Sequence, residues 1–166
     1  MGALVSLFER IDTCLAWVIK PIVIVFSLVV AGFMAYGVFM RSLFDQPVFG
    51  LEEYVLMAAM WLYMLGAVLA SRDRSHLTAD FVQVITSNPA VIRVFRILAT
   101  AVSLGMAILF SIWAFDLMVW SYEKGQTTTV HQLPWVVSQC SLFVASVLFI
   151  FYLTRDLVTD FTSQKA

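Results

Sequence analysis

Four long stretches of the chain contain no Asp, Glu, Lys or Arg: residues 21–40, 54–71, 97–115 and 125–154. Residues 22–26 are apolar at every position, which lacks the in-out alternation of a membrane β-barrel strand. A bilayer core about 30 Å thick is crossed by about 20 helical residues. The pattern therefore predicts an all-α protein, a single membrane domain over 1–166. The four predicted transmembrane helices lie at approximately 21–40, 54–71, 97–116 and 133–154.

The N-terminal segment, residues 1–20, has a different pattern. Its apolar residues recur at helical spacing and its charged residues lie largely elsewhere. This spacing predicts an amphipathic helix lying flat at the membrane surface. The alternative is a cytoplasmic extension of the first span. The residues of the apolar face are Leu4, Leu7, Phe8, Ile11, Leu15 and Val18.

The composition places the chain outside the soluble globular range. Hydrophobic residues make up 61% of the 166 residues and charged residues 13%, against roughly 45–50% and about 25% in soluble domains. The net charge of -1 with no basic cluster excludes a nucleic-acid interface. The connections are too short for a separate soluble domain, which needs about 50 residues.

The distribution of Lys and Arg predicts the orientation, because basic residues resist translocation. Eight of the ten lie in the N-terminal segment, the connection between the second and third spans, and the tail. The opposite side has only Arg41 and Lys124. Both termini are therefore predicted to face the cytoplasm.

Several residues at the span ends and on the helix faces carry further predictions. Glu52 and Glu53 precede the second span, where acidic residues favour the positive end of the helix dipole. Pro134 is predicted to open the last span. Small residues permit close packing between membrane helices. They occur at Gly66 in the second span and as a stripe over 103–111 in the third. That packing is either inside the subunit, which we favour, or against a partner.

The chain lacks a recognisable set of catalytic or metal-binding residues. His76 and His131 are the only histidines and are predicted on opposite membrane faces, and neither has a second ligand at metal-binding spacing. Cys14 and Cys140 are interpreted as packing residues. The spans also lack the mid-membrane charge typical of transporters. We expect no catalysis and no cofactor, and a chain that serves another protein.

Three segments resemble the small membrane subunit, the Q component, of tripartite ATP-independent periplasmic (TRAP) transporters. They are an acidic pair opening the second span (50–54), a Trp followed by Gly-Ala within that span (60–67), and a His, a hydrophobic residue and an Asp in the next connection (71–80). Arg41 closing the first span and Pro134 also fit the family. The motif positions that carry over are Trp61, Gly66, Arg72, His76 and Asp80.

The resemblance implies a bacterial inner-membrane transporter of three components. A periplasmic binding protein would capture an organic anion, such as a dicarboxylate or a sugar acid including sialic acid. A large, elevator-type membrane subunit would carry the anion inward with sodium. The small subunit would be a non-catalytic scaffold in the lipid, bound to the large subunit.

Two segments keep two interpretations each. Arg72, His76 and Asp80 form either a solvated basic loop or a hydrogen-bonded corner, and we favour the corner. The outer loop over 124–132 is either a solvated turn, which we favour, or a contact for the binding protein.

Two other functions are compatible with four apolar helices. The first is a membrane anchor for a quinone-linked redox enzyme, which predicts a haem or quinone signal. The second is an independent small exporter, which the absence of a mid-membrane charge disfavours.

Overall fold

The computed structural model describes residues 2–72 and 89–162 as four helices joined by two ordered connections. The helices are α1 (Gly2–Phe44), α2 (Leu51–Arg72), α3 (Pro89–Glu123) and α4 (Val136–Thr162). Each contains a segment long and apolar enough to cross a membrane. The prediction of an all-α membrane protein with four spanning helices is confirmed.

The N-terminal segment is helical, but it is not a separate surface helix. α1 continues without a break from Gly2 through Pro21 to Phe44. Proline removes one helical hydrogen bond, and membrane helices tolerate this loss. Ile19 is buried in the same cluster as residues of α2 and α4. The part of the N-terminal segment around Ile19 therefore packs on the bundle, as an extension of the first span would.

The helices pack in the order α1, α2, α4, α3, so that α2 and α4 are central. The main core joins the first three of these helices. Its centre is formed by Ile19, Leu65, Val68, Ala145 and Tyr152. α3 packs mainly against α4.

Small residues form the contact between α3 and α4. Thr100 and Ala114 of α3 are buried, and the predicted stripe over 103–111 lies between them on the same helical face. Three serines of α4 are also buried. Two of these serine hydroxyls bond to carbonyls of α4, Ser141 Oγ to the Ser138 carbonyl at 2.6 Å and Ser146 Oγ to the Phe143 carbonyl at 2.7 Å, so close packing leaves these two groups paired.

The helices keep large apolar faces outside the core. In α1 the most hydrophobic 18-residue stretch has no buried residue, and in α3 the buried share is 11%. Trp17 of α1 is 80% exposed and Trp113 of α3 is 63% exposed. These two faces are available to lipid or to another membrane protein.

Candidate functional site

Four charged side chains meet where α1, α2 and α4 come together near the chain termini, and we call them the terminal cluster. They are Asp12 of α1, Arg72 of α2, and Arg155 and Asp156 of α4. Two acids and two bases balance each other. Their side chains are between 3% and 23% exposed, so the charges are largely removed from solvent.

Asp12 is the centre of the terminal cluster. Its two oxygens accept hydrogen bonds from Arg72 Nε at 2.7 Å and Arg72 Nη2 at 3.0 Å. Arg155 Nη1 lies 3.4 Å from Asp12 Oδ1. The fork of the guanidinium matches the two carboxylate oxygens, which makes this a strong and directional contact. One aspartate of α1 therefore binds both α2 and α4.

Arg155 completes the terminal cluster from α4. Its Nη2 donates to the Arg72 carbonyl at 3.0 Å, at the end of α2. The same guanidinium donates to Asp156 Oδ1 at 2.8 and 2.9 Å. It also lies 5.1 Å from the ring centroid of Tyr152, within cation-π distance.

The outer loop is hydrogen-bonded to α2, and most of its residues are exposed to solvent. Thr127 and Pro134 form an antiparallel bridge, and the Thr128 N–H donates to the Leu133 carbonyl at 2.9 Å. The Trp135 N–H donates to the Gln126 carbonyl at 3.0 Å. The loop is thus a small hairpin between α3 and α4.

One carboxylate holds this hairpin, in an arrangement that we call the Glu53 clamp. Glu53 Oε2 accepts from Thr128 Oγ1 at 2.7 Å and from the His131 N–H at 2.9 Å. Glu53 Oε1 accepts from the Val130 N–H at 2.7 Å and from Thr129 Oγ1 at 3.3 Å. Four donors match the acceptor capacity of an ionised carboxylate. The clamp joins the start of α2 to the connection before α4.

The connection between α1 and α2 fits closely against the clamp. Gly50 has φ of 81°, a conformation that favours glycine. A Cβ at Gly50 would lie 2.6 Å from His131 Cδ2 and 2.9 Å from Val130 Cγ1. The rings of Tyr54 and His131 lie 5.0 Å apart. Gly50 therefore leaves room for the hairpin, and the contact between the Tyr54 and His131 rings packs the hairpin against α2.

The terminal cluster and the Glu53 clamp lie at opposite ends of α2. The helix rises about 28 Å between Glu53 and Arg72 at 1.5 Å per residue. This length matches a bilayer core of about 30 Å. The terminal cluster and the Glu53 clamp, which we call the two polar ties, therefore each lie near one membrane interface. The apolar core lies between them.

Trp61 joins three helices between the two ties. Its indole Nε1–H donates to the Val137 carbonyl of α4 at 3.0 Å. Its ring stacks on Phe26 of α1, with centroids 6.4 Å apart and planes 10° from parallel. The three contacts of α2, at Glu53, Trp61 and Arg72, join it to α1, to α4 and to the hairpin.

The comparison with family models identifies this architecture. The model for the DctQ component of tripartite ATP-independent periplasmic transporters matches residues 30–163. The chain belongs to the DctQ family. Comparison with curated proteins and with solved structures found no match. The resemblance to the TRAP small subunit is confirmed, and the DctQ family is one of transporter components rather than of enzymes.

The remaining motif residues of this DctQ chain do not share one environment: two line a groove, one is a glycine without close contacts, and two lie outside the described residues. Arg41 and Glu52 are exposed on the sides of a groove between α1 and α2. A Cβ added at Gly66 would meet nothing within 4 Å, so Gly66 makes no close helix contact inside the described chain. His76 and Asp80 lie outside the described residues.

Pro134 precedes the last helix instead of opening it. α4 begins at Val136, and the Pro134 carbonyl accepts from the Val137 N–H at 3.2 Å. The bridge to Thr127 holds Pro134 in the hairpin. Because the hairpin uses this residue, the helix starts two residues later than predicted.

The side chains that bond to the motif residues of this DctQ chain were not predicted from the sequence. Asp12 was predicted in a surface helix, and Thr128 in a solvated loop. Arg155 was used only as one of the basic residues that indicate the cytoplasmic side. The sequence feature that could have identified Asp12 and Arg155 is a charged residue next to a long apolar segment. Among the described residues, no three His, Cys, Asp or Glu side chains are arranged to hold a metal ion.

The Glu53 clamp leads to a test of loop order. In Glu53→Gln, an amide donor replaces one carboxylate oxygen and faces the N–H donors of the hairpin. We expect amide hydrogen exchange at Val130 and His131 to accelerate about tenfold, since hydrogen bonds to charged groups are lost. Exchange measured by mass spectrometry checks this, with the exposed neighbour Glu52→Gln as the control. Equal exchange in both variants would show that the carboxylate does not order the hairpin.

Proposed function

We propose that this DctQ subunit is a non-catalytic scaffold for the large, elevator-type membrane subunit of a TRAP transporter. The transporter takes up an organic anion with sodium, and a periplasmic binding protein delivers the anion. The observation that carries this proposal is the family match over residues 30–163. The substrate class, a dicarboxylate or a sugar acid, is set by the other two components.

The arrangement of the helices is the second observation in favour of the scaffold role. Polar ties at both ends of α2 and the indole contact between them join α1, α2 and α4 into one body. A subunit that braces a moving neighbour must itself resist deformation. The exposed apolar faces of α1 and α3 supply surface that a membrane partner can cover.

The proposed location is the bacterial inner membrane with both termini in the cytoplasm. In the sequence, eight of the ten Lys and Arg residues lie before the first apolar stretch, between the second and third, or after the fourth, and the positive-inside rule assigns these segments to the cytoplasm. The Glu53 clamp and the hairpin then face the periplasm, on the side from which a binding protein approaches.

The test uses the chain with and without its large partner. Both subunits are coexpressed with a tag on one, purified, and reconstituted in vesicles with the binding protein and a sodium gradient. We expect copurification and uptake that requires both membrane subunits. Full-rate uptake by the large subunit alone would contradict the scaffold role. Uptake by this chain alone would indicate an independent transporter.

Gly66 tests where the large subunit binds. Its surroundings are open inside the described chain, so Gly66→Leu should leave the unfolding transition of the isolated subunit unchanged. If Gly66 allows close approach of a partner helix, the larger side chain should weaken binding of the large subunit about tenfold. The control is Gly105→Leu on α3, which is equally open. Binding of Gly66→Leu equal to that of the unchanged chain would exclude Gly66 from the interface.

A further inference from the structure

A groove of about 500 Å³ opens between the end of α1 and the start of α2. This volume lies within the range of roughly 300–1,000 Å³ that is typical of small-molecule sites. Val38 of α1 and Val55 and Leu56 of α2 contribute apolar walls. Gly37 also lines the groove, and the Leu51 side chain packs against it, since a Cβ at Gly37 would lie 2.8 Å from Leu51 Cδ2.

Two opposite charges flank this groove. Arg41 and Glu52 both line it, and both are exposed. Among the described residues, neither side chain has a hydrogen bond or an ion pair with another. An arginine and a glutamate that stand so near one groove without pairing leave one anion site and one cation site open at its rim.

The groove extends from the membrane interface towards the bilayer interior. Arg41 lies in the last turn of α1 and Glu52 in the first turn of α2, at the end of the bundle that carries the Glu53 clamp. From Arg41 to Met34, which also lines the groove, α1 descends about 10 Å. The charges therefore lie at headgroup level, and the apolar walls lie at the level of the acyl chains.

We propose that this groove binds one phospholipid whose headgroup carries both a phosphate and a primary ammonium, as in phosphatidylethanolamine. The Arg41 guanidinium donates to the phosphate, which its planar fork suits. The Glu52 carboxylate accepts from the ammonium. One acyl chain lies along Val38 and Leu56. A protein helix would have to present an anion and a cation at the same level to satisfy both side chains, whereas this headgroup contains both.

The lipid preference of the unchanged full chain is the first test. The chain is purified in detergent and incubated with equal amounts of phosphatidylethanolamine, phosphatidylcholine and phosphatidylglycerol, and retained lipid is counted by native mass spectrometry. We expect phosphatidylethanolamine to be retained about fivefold or more over the other two, because only it supplies both a phosphate and an N–H donor. Equal retention of the three lipids would overturn the proposal.

Substitutions locate the site. Arg41→Gln and Glu52→Gln should each lower phosphatidylethanolamine retention about tenfold, since each removes one charge-assisted contact. Val38→Trp should lower retention by filling the groove. The matched controls are Lys124→Gln and Glu123→Gln, exposed charges at the same end of the bundle, which should retain lipid as the unchanged chain does. An equal loss in the controls would overturn the site.

A crosslinker at position 38 separates lipid from protein as the occupant. In the transporter purified from membranes, a photoreactive residue replacing Val38 should label phospholipid. Labelling of another protein chain in place of lipid would show that a partner subunit covers the groove, and would overturn the proposal.

Discussion

Asp12→Asn should lower the free energy of unfolding of the subunit by about 2–4 kcal/mol, in line with the loss of one partner of a largely buried ion pair. The substitution keeps the size of the side chain and removes its charge. Arg72 and Arg155 both face Asp12, so both cations would lose a carboxylate partner, and Asp156 would remain paired with Arg155. Unfolding of the purified subunit in mixed detergent micelles, followed by tryptophan fluorescence, measures the change.

The matched control for Asp12→Asn is Asp116→Asn, because Asp116 is exposed on α3. This control should change the free energy of unfolding by less than about 0.5 kcal/mol. A double variant, Asp12→Asn with Arg72→Gln, should be more stable than the sum of the two single effects predicts, because it also removes the cation that loses its Asp12 partner. If Asp12→Asn behaves like the control, the terminal cluster does not hold the helices together.

Gly50→Ala should lower the free energy of unfolding by about 1–3 kcal/mol, since the methyl group enters a strained backbone conformation. The φ of 81° disfavours a Cβ. The added atom would also contact the His131 ring and the Val130 side chain. Relief of this contact would push the hairpin away from α2, so the substitution should also accelerate amide exchange at Val130 and His131. The same micelle titration, together with exchange mass spectrometry, measures both effects.

Gly105→Ala provides the control for Gly50→Ala. Gly105 lies within α3, and a Cβ there would meet nothing within 4 Å. Alanine is the better helix former by roughly 0.5–1 kcal/mol, so this variant should be as stable as the unchanged chain or more stable. An equal loss of stability in both variants would assign the effect at Gly50 to the general removal of glycine and not to its conformation.

The two polar ties explain how a thin bundle keeps a defined shape in lipid. Apolar packing between helices gains little from the hydrophobic effect inside a bilayer, so directional contacts carry much of the specificity. The terminal cluster fixes α1, α2 and α4 at one interface. The Glu53 clamp fixes α2 to the hairpin at the other. We expect a bundle built this way to resist deformation and to keep its helix order.

Glu53 was singled out in the sequence by its type and position, and Trp61 and Arg72 were singled out by the family resemblance. Glu53 is an acid at a helix start, Arg72 a base at a helix end, and Trp61 an aromatic residue in an apolar run. Their partners were not found. The hydrogen bonds of Arg72 and Glu53 join residues 60 and 75 positions apart, and no periodicity within a single helix reports such a distance.

By itself, the sequence determined that the chain has four membrane-spanning helices and where the apolar part of each lies, because lipid imposes length and hydropathy on each segment separately. Only the tertiary structure decided that α2 is central, that α1 continues through Pro21 onto the bundle, and that the outer loop closes on Glu53. Those outcomes depend on which side chains meet across helices. Hydropathy is the same for a helix face that meets lipid and for one that meets protein, so it leaves that choice to packing.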